Sequence, residues 1–113
     1  MKEVLNEIND IPGVRGSIVL DKDGLVIASN IMSGLEERTI SAMVANIFHE
    51  TARALSDGTG DNLSGVQLMA EEGNVLFMCT AECILTVITE PGANIGLVSI
   101  KMKASLARLL ELL

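Results

Sequence analysis

The chain has no tryptophan, no tyrosine and only two phenylalanines in 113 residues. Proteins that bind single strands stack bases on aromatic side chains, and almost none are present here. Eight basic residues face fifteen acidic ones, for a net charge of −7, and the basic residues form no run. Such a surface repels phosphate backbones, so nucleic acid is not expected as a partner. There is a single histidine, His49. Catalytic zinc takes three protein ligands, and a nucleophile–His–acid site needs two further partners that the sequence does not mark. Two cysteines, Cys79 and Cys83, stand at C-x-x-x-C spacing, which is neither a redox pair nor a metal set. They read as buried strand thiols of a cytoplasmic protein. No apolar run approaches the ~18 residues of a membrane helix. The N-terminus, Met1-Lys2-Glu3-Val4, opens an amphipathic helix instead of a signal peptide. Neither membrane insertion nor a cofactor is expected.

What the chain does have is apolarity, at 49% of its residues. Its length suits one domain, taken as residues 1–113. A domain of this size buries roughly two thirds of its unfolded surface without disulfide or metal. For the apolar surface left over, self-association is the simplest outlet.

Hydrophobic periodicity places the elements. Val4, Leu5, Ile8 and Ile11 have helical spacing, and Pro12-Gly13 stops that helix. In "SIVLDKDGLVIAS" two β-branched runs flank Asp21-Lys22-Asp23-Gly24, a tight hairpin. A calcium loop would need glycine at its sixth position and glutamate at its twelfth, and neither is there. Ser33 or Gly34 is expected to cap a long helix from about Leu35 to Leu55. "SDGTGDN" reads as a surface loop, since it lacks the Gly-Lys-Ser/Thr of a phosphate loop. Gly65 to Glu71 alternates, as a strand at an edge or with one solvated face does. "VLFMCT" and "ILTVIT" are continuous apolar runs, expected of interior strands. A last helix starts near Ile95 with Val98, Met102, Leu106, Leu109, Leu110 and Leu113 as its stripe. The order α-β-β-α-β-β-β-α predicts an α+β fold, an α/β/α sandwich around a mainly antiparallel sheet.

The long helix contains "FHETARAL", which begins like the zinc-protease motif His-Glu-x-x-His but has Arg53 at the second histidine. A helical wheel puts Ile40, Met43, Val44, Ile47, Phe48, Thr51 and Leu55 on one side, the expected sheet-facing stripe. The other side carries Arg38, Ala42, Ala45, Asn46, His49 and Arg53. A solvated face is normally dense in Glu, Lys, Arg and Gln. Small residues ringed by sparse polar ones suit a helix–helix seam across a two-fold axis better.

Taken together, these segments resemble the roadblock/dynein light chain family over nearly the full length. The most specific pieces are Gly13-Val14-Arg15-Gly16 and Asp23-Gly24-Leu25-Val26-Ile27-Ala28 around the first hairpin. "ISAMVANIFHETARAL", "VQLMA", "VLFMCT", "ILTVIT" and "ANIGLVSIKMKASLARLL" follow in order. The resemblance implies a profilin-like five-stranded sheet between helices. It implies a non-enzymatic domain that pairs as a homo- or heterodimer, here expected to be a homodimer, in which long helices meet and third strands join. Carried onto this chain, the interface is Arg38, Ala42, Ala45, Asn46, His49 and Arg53 with Gly65, Gln67 and Met69 of the edge strand. The implied partner is a small Ras-like GTPase, with stimulation of its GTP hydrolysis a further expectation. Arg53 or Arg38 acting as an inserted arginine finger is the less favoured route to that stimulation. A structural dimerisation module of a larger complex and a small-ligand sensor are the alternative functions.

Overall fold

The computed structural model describes residues 1–55 and 63–113. Helix α1 (Lys2–Asn9) leads into strands β1 (Val14–Leu20) and β2 (Val26–Ile31). Helix α2 (Glu37–Leu55) follows, then β3 (Gly65–Ala70), β4 (Gly73–Cys79), β5 (Ile84–Thr89) and helix α3 (Ile95–Leu112). The sheet order is β2-β1-β5-β4-β3, and all four pairings are antiparallel. The expected α-β-β-α-β-β-β-α order and the α/β/α layering are what the structure has. The "SDGTGDN" segment lies outside the described residues.

The first hairpin is closed by its own acid. Asp21 Oδ1 accepts the N–H groups of Asp23 and Leu25, each at 2.9 Å, and Gly24 takes φ +90°. Asp21 thus has an internal use, as asparagine and aspartate commonly do in turns. The continuous apolar runs became β4 and β5, and every residue of β5 is buried. Val19, Leu85 and Val87 point to the α1/α3 side, with Val4, Leu5, Ile8, Val98 and Met102. Ile18, Leu20, Phe77, Ile84 and Ile88 point to the α2 side, with Val44 and Phe48. Each sheet face is therefore covered, which is why the interior strands read as unbroken runs.

One core group lacks a partner. Thr86 is fully buried on β5, and its Oγ1 has no hydrogen bond. Burying an unpaired hydroxyl costs about 1–3 kcal/mol. Thr86→Val keeps the shape and removes that group. We expect it to raise stability by about 1 kcal/mol, read as a higher urea midpoint at unchanged slope.

Helix α2 departs from expectation at its start and in its rotation. Leu35 N–H donates to Met32 O at 3.3 Å, and Gly34 has φ +93°, so Ser33 and Gly34 form a turn and do not cap the helix. The first helical bond goes from Ile40 N–H to Glu36 O. The buried residues are Ser41, Val44, Ala45, Phe48 and Ala52. Relative to the expected stripe the helix is turned by most of one ~100° residue step. Leu55, expected in the core, is 77% exposed. Ala45, expected on the outer seam, is buried instead. The cause is the first hairpin, which folds over α2: a Cβ added to Gly24 would stand 2.9 Å from the Ala45 Cβ.

Candidate interaction surface

With Ala45 removed, the outer face of α2 still presents Arg38, Ala42, Asn46, His49 and Arg53, all exposed and spaced three or four apart. The Arg53 guanidinium pairs with the Glu50 carboxylate one turn back. Both side chains are mostly solvated, so the pair contributes little to stability. The His49 ring meets Phe48 edge-to-face, with centroids 5.2 Å apart. Among the described residues, no group of three His, Cys, Asp or Glu side chains stands close enough to hold a metal ion. Ala42 and Arg38 line a shallow groove of about 380 Å³ against the hairpin residues Gly24, Leu25 and Val26.

The rotation of α2 has a second effect that the wheel did not show. Ile40, Met43 and Ile47 are only half-buried. They flank the apolar cluster beneath α2, and so does Val66 of β3. The apolar arc of α2 is wider than one sheet-facing stripe needs. That breadth is legible in the sequence, where Ile40, Met43 and Ile47 widen the stripe beyond the residues that the sheet buries.

Strand β3 is an edge, paired only with β4. Its register sets Val66 against Phe77, Gln67 against Leu76 and Leu68 against Val75. Cys79 N–H donates to Ser64 O at 2.9 Å. Hydrogen-bonded positions alternate along an antiparallel ladder. Ser64, Val66, Leu68 and Ala70 therefore direct their backbone groups to β4, and Gly65, Gln67 and Met69 direct theirs away from the sheet. These three are the strand positions assigned to the interface from sequence, and all are exposed, Met69 to 79%. The other edge, β2, is treated differently. Lys2 Nζ donates to Ser29 O, an outward carbonyl, while Asn9 Nδ2 donates at 2.8 Å to Asn30 O, which the ladder turns towards β1, so α1 occupies one outward group of that edge. An open edge invites another strand, and each outward group already bonded weakens that invitation.

The two thiols are unpaired. Cys83 belongs to the cluster under α1 and α3, and Cys79 to the one under α2, so they face opposite sides of the sheet. Burial pushes the Cys79 thiol up from 9.0 to about 11, against a smaller opposing effect of Lys22. At pH 8 that leaves about a hundredfold fewer thiolates than a free cysteine, and alkylation of the native protein should slow accordingly, as mass spectrometry would show. The folded pKa is the raised one. Its contribution to stability is therefore complete below about 9 and is lost as pH rises towards about 11.

Among the described residues, no helix is long and apolar enough to cross a membrane. The model of the Roadblock/LC7 domain matches residues 1–89. An uncharacterised Methanocaldococcus jannaschii protein, MJ0714, is 37% identical over 88% of this chain and 85% of its own length. The fold superposes on a Roadblock/LC7 domain from Streptomyces avermitilis with a TM-score of 0.83 at 12% identity, covering 98% of this chain and 95% of that one. The gliding protein MglB of Thermus thermophilus gives 0.76 at 20% identity, covering 92% and 81%. A Schizosaccharomyces pombe profilin gives 0.65 at 12% identity, covering 98% and 94%, so the architecture is profilin-like as expected.

Proposed function

Because the chain belongs to the Roadblock/LC7 family, we propose that it acts as a homodimeric, non-enzymatic regulator or scaffold that binds a small Ras-like GTPase in the cytoplasm. The observation that carries the dimer is the unguarded β3 edge beside the half-exposed apolar flank of α2. Two copies joined at β3 would close that edge, whereas β2 already has one outward carbonyl, Ser29 O, bonded by Lys2 of α1. They would also bring the Ile40, Met43 and Ile47 flanks towards each other. The exposed row of Arg38, Ala42, Asn46, His49 and Arg53 would then lie on a surface shared by both copies and available to the GTPase. The family resemblance supports the GTPase part. Any stimulation of hydrolysis would come from ordering the GTPase's own catalytic residues. Insertion of Arg53 or Arg38 into the GTPase's active site is the less favoured route.

The test is capture by the immobilised protein of small GTPases from its own genome, loaded with GDP or with a non-hydrolysable GTP analogue. Capture of the GTP form alone supports the proposal, and hydrolysis assays follow. Capture blind to nucleotide would replace it with a structural dimerisation module.

A further inference from the structure

We infer that two copies of this chain pair their β3 strands in one register, centred on Gln67, in which Met69 of each copy fills a groove above Gly65 of the other. The inference rests on the dimer proposed above and specifies how it closes.

Only residues with outward backbone groups can bond across a two-fold axis, and on β3 these are Gly65, Gln67 and Met69. Centring the axis on Gln67 opposes Gln67 to its own copy and Gly65 to Met69 on both sides. All three outward residues are then paired. A shift by two residues in either direction leaves one of them unpaired.

The side chains select the same register. Val66 lies in the α2-side cluster, so Gly65, Gln67 and Met69 stand on the other face, beside Leu76 and Met78. There, between β3, β4 and α3, is a groove of about 270 Å³ lined by Gly65, Gln67, Leu76, Met78 and Ser99. It has room because position 65 has no side chain. A Cβ there would stand 2.8 Å from Phe77 O and 3.6 Å from Met78 Cγ. The Ser99 hydroxyl is buried at this site without a hydrogen-bond partner. Met69, 79% exposed in the single chain, is long, flexible and apolar. Thioethers of this kind fill irregular gaps, and the sulfur is a weak acceptor for a hydroxyl. In the centred register Met69 of the second copy lies directly beside Gly65. On the opposite face the same register sets Val66 against Leu68 of the second copy, joining two half-buried apolar side chains.

Single-cysteine variants read the register directly. Val66→Cys, Gln67→Cys, Leu68→Cys and Met69→Cys would each be oxidised mildly and run on non-reducing gels. The unsubstituted chain, with Cys79 and Cys83, is the control. Only position 67 meets itself across the axis, at a Cα separation of about 5.5 Å that a disulfide spans. Gln67→Cys should therefore give a covalent dimer, and the other three should not. Met69→Ala should raise the dimer dissociation constant by about ten- to a hundredfold through lost apolar burial. Light scattering separates the two ways of failing. A dimer that cross-links at 66, 68 or 69 instead overturns the register and leaves the proposed dimer standing. An unsubstituted chain that is monomeric removes the dimer and the register with it. A dimer indifferent to Met69→Ala overturns the groove filling.

Discussion

Gln67→Lys together with Met69→Lys is expected to convert the dimer to monomers at micromolar concentration without unfolding either copy. Both side chains are exposed in the single chain, so the fold loses nothing it uses. Across the two-fold axis, lysine at 67 would face its own copy. Two like charges about 5.5 Å apart repel by about 3 kcal/mol at an effective dielectric constant near 20, and long side chains relieve part of this. Lysine at 69 would also replace an apolar side chain that the groove above Gly65 accommodates. We expect dimer affinity to fall by about two to three orders of magnitude. Natural edge strands use lysine in this way to refuse partners. Sedimentation or light scattering over a dilution series gives the constant, and a fully dimeric double variant would refute strand pairing.

Phe48→Ala should lose both the fold's stability and the dimer. Phe48 is 1% exposed and anchors α2 to the sheet among Ile18, Phe77, Ile84 and Ile88. The Lys22 ammonium sits 5.6 Å from its ring centroid, so the hairpin tip also packs through it. Truncating a buried phenylalanine costs about 3–5 kcal/mol, a large share of the 5–15 kcal/mol typical of a domain. The thermal midpoint should drop by roughly 15–25 °C. Phe48→Leu, which leaves a smaller cavity, should cost about half as much. Once α2 is loosened, its Ile40, Met43 and Ile47 flank no longer presents a fixed surface. A dimer that survived Phe48→Ala intact would show that α2 has no part in it. The lysine pair and Phe48→Ala thus separate interface from core: one removes association alone, the other removes both.

Much of this architecture was legible because its signals are local. Asp21 and Gly24 mark the first turn, since a short carboxylate can bond its own backbone and glycine tolerates φ +90°. The unbroken apolar letters of β4 and β5 mark strands covered on both faces, and the alternation of β3 marks an edge. The three β3 positions and five of the six α2 positions proposed for an interface are exposed in the single chain. Ala45 was misplaced because Ala42 and Ala45 are the same residue on neighbouring arcs of one helix. Nothing in their letters says which lies under the hairpin.

By itself, then, the sequence determined the class of fold and the succession of elements. These follow from periodicities and residue counts within short windows. Tertiary structure alone decided the strand order, the rotation of α2 under the Gly24 turn, and which β3 residues turn their backbone outward. Each of these depends on contacts between segments far apart in the chain: Gly24 against Ala45, and Ser64 against Cys79. A ladder shifted by one residue would reverse the outward set while leaving the local pattern unchanged.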